Sequence, residues 1–199
     1  MGDSYVYFLP RDPWLAPTTE AASRAMQVLR DELIKCDGIE IEESQTPQAH
    51  IGGDSEYGAR CPHCETEIAE DEVFVRIKAE YDLPTGFRLE REPMSCCGTP
   101  VALHELIFPQ RSVGFARFAI TVHHPVWKRV EAYPEGKRRN ELGERFGFVN
   151  SRNWSESQGE EWAEAGKAQS QAYDRCLAEI LPLVSEALGA EVHHVFVSV

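Results

Sequence analysis

The first apolar run, Ser4-Tyr5-Val6-Tyr7-Phe8-Leu9, is short, aromatic and β-branched and stops at Pro10. It predicts a strand buried on both faces. A Pro-punctuated connection, Arg11 to Pro17, leads to Thr18 or Thr19 as a helix cap, with Glu20 in the first turn where the helix dipole favours negative charge. Ala22, Met26, Leu29 and Leu33 form one helical stripe, with Gly38 as the expected terminator. Ile39-Glu40-Ile41-Glu42 alternates as a half-exposed strand does, and a Gly-, Ser- and Gln-containing loop follows. Val113 to Val122 predicts another strand, with Ala116, Phe118, Ile120 and Val122 on its more apolar face and Val113, Phe115, Arg117, Ala119 and Thr121 on the other. Val126, Trp127 and Val130 suggest a short helix. The polar stretch 137–160 reads as irregular. From about Glu160 a long helix carries Trp162, Ala165, Ala172, Tyr173, Cys176, Leu177, Ile180, Val184 and Leu188 at helical spacing, kinked or divided by Pro182 and ended by Gly189. Val192 to Val199 closes the chain as a strand.

In element order this is strand, helix, strand, Cys-rich insert, strand, irregular helical region, helix, strand. Two βαβ-like halves predict an α+β fold, a ferredoxin-like βαβ…βαβ sandwich with helices on one face of a sheet. The expected divisions are 1–57 as the first half of the core, 58–102 as an inserted module, and 103–199 as the second half, with an irregular segment at 125–160.

The strongest chemical pattern lies in the insert. Cys61-Pro62-His63-Cys64 is followed by Ser95-Cys96-Cys97-Gly98. A C-x-x-C pair on a tight turn offers two thiolates to one tetrahedral Zn²⁺, so Cys61, Cys64, Cys96 and Cys97 are the expected ligands of a structural zinc. The alternating Val73-Phe74-Val75-Arg76-Ile77 and Phe87-Arg88-Leu89 are candidates for a hairpin joining the two Cys pairs. Over about residues 58–102 the pattern resembles a zinc ribbon. It departs in its second knuckle, where the Cys are adjacent: if only one ligates, His63, His104 or His50 supplies the fourth donor. Reduced buried thiols are the alternative to a metal site. Four thiolates would leave no open position for water, which favours a structural over a catalytic zinc. Cys36 and Cys176 lie beside apolar residues on helical faces and read as core.

The opening YVYFLPRDPW, the CPHC and CCG pair, Leu103-His104-Glu105-Leu106, Gly114 to Phe118 and the closing Leu188-Gly189-Ala190-Glu191-Val192 together resemble an uncharacterised bacterial family of small acidic proteins with a central zinc ribbon. That resemblance implies an association with cytoplasmic immunity-type proteins, which protect a cell from a toxin.

Composition narrows the classes. The 199 residues are 42% hydrophobic and 27% charged, which suits a folded domain rather than a disordered chain. The formal net charge of -13 argues against a nucleic-acid-coating protein. The acid is local: residues 31–82 carry a net charge of -11, whereas 83–153 carry +4. Glu40, Glu42, Glu43, Asp54, Glu56, Glu70, Asp71 and Glu72 are densest there. They form either a solvated face or a surface that steers a basic partner by long-range attraction. No run approaches the length of a membrane span, and the start lacks a basic region followed by an apolar one, so a cytoplasmic protein with reduced thiols is expected.

The doublets His123-His124 and His193-His194 invite an acid–base reading, with a cross-strand His pair if their two strands are neighbours. The basic cluster Lys137-Arg138-Arg139, with Arg145 and Arg152, reads as a phosphate or acidic-protein contact, or as solvated helix ends. No nucleophile elbow, zinc-protease helix or phosphate-binding loop occurs. The expectation is therefore a non-enzymatic binding protein: a cytoplasmic immunity protein, with structural Zn²⁺, that neutralises a toxin bearing a basic surface through its own acidic one. The alternatives are a zinc-ribbon nucleic-acid or transcription-related adaptor, or an enzyme using His123 or His193.

Overall fold

The computed structural model describes residues 4–52, 58–81, 86–109, 112–133, 141–142 and 155–198. The expected features at 134–140 and 143–154, including Lys137, Arg138, Arg139, Arg145 and Arg152, lie outside the described residues, as do Asp54 and Glu56.

Four strands build the main sheet: β1 (Ser4–Pro10), β3 (Gly38–Ile51), β8 (Val113–His123) and β10 (Val192–Ser198). Their spatial order is β10-β1-β8-β3, and every neighbouring pair is antiparallel. β1 and β3, the strands of the first half, are thus separated by β8; β8 and β10, those of the second, are separated by β1. Neither half can complete its hydrogen-bond ladders without the other, so the fold is α+β with interleaved halves.

Helix α1 (Thr19–Glu32) starts where Thr18 accepts a hydrogen bond from the Ala21 N–H. It ends at Glu32, ahead of the expected terminator Gly38, because Leu33–Lys35 extends as β2 and pairs with β9 (Val126–Trp127). Trp127, one of the largest fully buried side chains, is held by that pairing. The short α3 (Lys128–Ala132) follows. The long α4 (Glu156–Leu188) opens on a capping box of Ser155 and Gln158 and closes on Gly189 at φ 74. Pro182 does not divide it. Pro182 and Ala178, whose carbonyl the proline cannot serve, both face solvent, so that carbonyl is open to water.

Both long helices pack on one face of the sheet. Ala22, Ala25 and Leu29 of α1 and Ala172, Leu177, Ile180 and Val184 of α4 meet Val6, Phe8, Phe118, Ile120, Val122 and Trp127 in one core. On the opposite face Leu9, Ala116, Ala119, Val195 and Val197 form a smaller cluster with Tyr5 and Tyr7 packed against it. Ala116 and Ala119 therefore share a face, and strict alternation along β8 fails. The cause is an irregularity between β3 and β8, where Glu43 pairs with Phe118 but the next partners are Gln48 and Ala116. The expected loop after Glu42 is this bulge, beyond which β3 continues to Ile51.

Arg129 ties the helices together. Its guanidinium donates at 2.7 and 2.8 Å to both carboxylate oxygens of Glu32 on α1 and at 2.6 Å to Glu179 on α4. The Arg129 fork lowers the Glu32 carboxyl from its ordinary value; Glu179 is lowered first by the Tyr133 hydroxyl and then by Arg129. Because both carboxyls are lowered in the folded state, their contribution is complete above the ordinary carboxylate range and is lost as pH falls through the folded values. Arg129→Met is expected to cost about 1 kcal/mol or less at neutral pH, the scale of a partly exposed ion pair, and to flatten the loss of stability between about pH 5 and pH 3. Urea unfolding of both proteins across that range is the check.

Candidate metal centre

Between β3 and β8 the chain forms a module built on two small hairpins. β4 (Ala59–Arg60) pairs with β5 (Glu67–Ile68), and β6 (Glu92–Pro93) pairs with β7 (Pro100–Val101). Each hairpin turns through a Cys pair, and the turns match bond for bond. In the first, the Cys61 N–H donates to the Thr66 carbonyl (3.0 Å) and the Glu65 N–H to the Cys61 carbonyl (2.9 Å). In the second, the Met94 N–H donates to the Thr99 carbonyl (3.0 Å) and the Gly98 N–H to the Met94 carbonyl (2.7 Å). Glu65 and Gly98 occupy the same left-handed conformation, at φ 57 and 71.

This correspondence resolves the adjacent cysteines. Cys97 occupies the place of Cys64, Met94 that of Cys61, and Cys96 that of His63. The second knuckle has the same turn with Met94 where the first has Cys61 and Cys96 where the first has His63. Met94 is buried in the module's core, 3.2 Å from Arg76 Nη1. Matching Cys64, Thr66 and Ile68 against Cys97, Thr99 and Val101 in the sequence would have exposed the equivalence.

The expected hairpin between the knuckles is instead helix α2 (Glu70–Tyr81). Val73 and Ile77, one helical turn apart, are buried with Phe87, Leu89, Met94 and Val101. Phe87-Arg88-Leu89 makes no ladder: the N–H groups of Arg88 and Leu89 both donate at 2.7 Å to one carboxylate oxygen of Glu80, and the two apolar side chains turn inward. Ser95 donates to both carboxylate oxygens of Glu72, at 2.8 and 3.0 Å, and Arg76 donates to the Val101 carbonyl at 2.9 Å. α2 thereby positions the second knuckle. The first is fixed by reciprocal backbone bonds between Arg60 and Ile107. Val113 and Phe115 of β8 join the module's core.

The Sγ atoms of Cys61, Cys64, Cys96 and Cys97 all lie within 4.8 Å of one another. Cys64 and Cys96 are 3.4 Å apart and Cys61 and Cys97 3.8 Å. Four sulfurs at about 2.3 Å from a tetrahedral zinc stand roughly 3.8 Å from each other. The four thiols are free rather than paired in disulfides, Cys61 buried and the others exposed. The side chain and backbone of Thr66 draw the Cys64 thiol down to about 6, and those of Thr99 lower Cys97 likewise. Cys96, hydrogen-bonded to Cys64, is pushed up to about 12. A metal bound here would displace whatever thiol protons the cluster holds. Among the described residues His50, His63 and His104 do not join the cluster. His50 is buried with its ring 4.9 Å from that of Tyr7. Cys176 lies in the helical core, where burial pushes its thiol up to about 12.

The histidine doublets do not meet. β1 runs between β8 and β10, so their strands are not neighbours. His123 pairs with Tyr5 and His193 with Leu9, positions about 13 Å apart along β1. His124 Nδ1 is 2.7 Å from Asp37, and His194 is buried on the helix face. The acidic residues divide as well. Glu40, Glu42 and Glu43 lie on the edge strand β3, whereas Glu70, Asp71 and Glu72 form the first turn of α2.

The fold and site define an α+β protein carrying a four-cysteine cluster able to coordinate a metal ion. A scan against protein-family models matched none, and searches of curated proteins and of solved structures returned no match. Among the described residues no helix is long and apolar enough to cross a membrane.

Proposed function

We propose that the chain is a non-enzymatic binding protein, a cytoplasmic immunity protein whose acidic surface occludes a basic toxin, built on a ferredoxin-like sandwich with an inserted zinc-ribbon-like module. Cys61, Cys64, Cys96 and Cys97 hold one Zn²⁺ in a structural role. The observation that carries the zinc assignment is the convergence of four sulfurs from two matched knuckles to within 4.8 Å of one another. The interleaved strand order supports the sandwich. Three carboxylates on the exposed edge of β3 support an acidic contact surface, and they also block that edge against pairing with another sheet. An adaptor for nucleic acid is less well supported, because the chain carries a net charge of -13 and its stretch 58–102 is itself net negative, with nine acidic residues against five basic ones.

Two measurements test the reading. Elemental analysis of the purified protein should give one zinc per chain; none would remove the zinc assignment. Titration against the purified product of the adjacent reading frame should show binding at low salt that weakens as salt rises. Binding that is indifferent to salt and to reversal of the acidic residues would remove the electrostatic reading.

A further inference from the structure

Helix α2 is apolar on more than one side. Val73 and Ile77 are buried in the module, yet Phe74, Val75 and Tyr81 on its outer side are 45, 64 and 69% exposed. Phe74, Lys78 and Tyr81 follow one another at i, i+4 and i+7, with Val75 flanking that line. Glu70 and Asp71 stand one turn before Phe74 on the same side. A helix with apolar residues on several sides is normally enclosed, and an exposed aromatic patch with a polar rim is the anatomy of a protein interface.

We infer that the outer face of α2 is the docking surface for a protein partner that presents an apolar anchor flanked by Lys or Arg. Phe74, Val75 and Tyr81 receive the anchor, and Glu70 and Asp71 pair with the cations. This rests on the proposed reading of the chain as a binder of basic partners, and it places the energetic centre on α2. The carboxylates of β3 contribute long-range attraction only, because rim charges mainly set encounter rates whereas buried aromatic anchors set affinity. Charge selects the occupant: α2 carries Glu70, Asp71, Glu72 and Glu80 against Arg76 and Lys78, and the whole chain's net charge of -13 opposes a second copy of itself and favours a basic partner.

A fluorescein-labelled amphipathic peptide of Leu and Lys serves as the probe, with fluorescence anisotropy at low salt as the readout. Phe74→Ser with Tyr81→Ser is expected to weaken binding about tenfold or more, whereas Glu40→Lys with Glu42→Lys and Glu43→Lys changes affinity at most about twofold at matched salt. Circular dichroism and zinc content verify folding, and Val75→Ser with Tyr81→Ser replaces the first pair if it misfolds. If the β3 variant abolishes binding while the α2 variants retain it, the α2 site is wrong and the acidic-surface reading stands. If the wild-type protein does not bind the peptide, both the site and the preference for basic partners are wrong.

Discussion

Replacing Cys61 by Ser should reduce bound zinc from one equivalent to below about a tenth and unfold the knuckle module. Cys61 is the cysteine shared between the cluster and the core: it has no exposed surface and packs with Ile68, Val73, Met94 and Leu103. The substitution removes a thiolate and places a hydroxyl among apolar groups, so both effects act in the same direction. Cys64→Ser removes an exposed ligand and should lower zinc content with a smaller loss of packing, whereas Cys176→Ser, in the helical core, should leave zinc unchanged. Because module and helical core are separate clusters, hydrogen exchange should accelerate across residues 59–106 of the Cys61 variant while amides of β1, β8 and β10 that pair with one another keep their protection. Full zinc binding by Cys61→Ser would overturn the four-thiolate assignment.

Trp127→Ala is expected to cost about 3–5 kcal/mol, a large part of the 5–15 kcal/mol that typically holds a domain together. Trp127 is fully buried, stands edge-to-face against Phe8 at 6.2 Å, and anchors the β2–β9 pairing that joins α1 to α3. Among the described residues its indole Nε1 has no hydrogen-bond partner, so the ring contributes by volume and its N–H is a burden. Trp127→Phe, which keeps the aromatic volume and removes that donor, should therefore cost less than about 1.5 kcal/mol. Urea midpoints of the two variants separate these effects; equal losses would show that the N–H is satisfied.

The long elements were legible because each carries many repeats of its own period. α4 shows its stripe over about seven turns, from Trp162 to Leu188, ahead of a Gly terminator, and β1 is a dense apolar run ended by Pro. α2 was not legible. Val-Phe-Val-Arg-Ile has the β-branched, alternating character of a strand, and only the module's core shows that Val73 and Ile77 must face the same way. The faces of β8 were misassigned at Ala116 for a related reason, since an irregularity in the pairing reverses the alternation without leaving a signature in residue type.

At the candidate site the residue types were legible and their equivalence was not. Cys-Pro-His-Cys and Cys-Cys-Gly mark thiolate chemistry wherever they fold. That Met94 stands at the position of Cys61, and that Cys96 brings its sulfur from the position of His63, depends on two turns having the same backbone bonds.

By itself the sequence determined the α+β class, the four candidate sulfur ligands and the concentration of acid in one stretch, because composition, helical period and Cys spacing are local properties. Only the tertiary structure decided that the two halves interleave, that the histidine strands stand apart, and that the acid is shared between an edge strand and a helix with exposed aromatic residues. Those are relations between residues distant along the chain, and they are set by which surfaces find cover when the sheet and the module close.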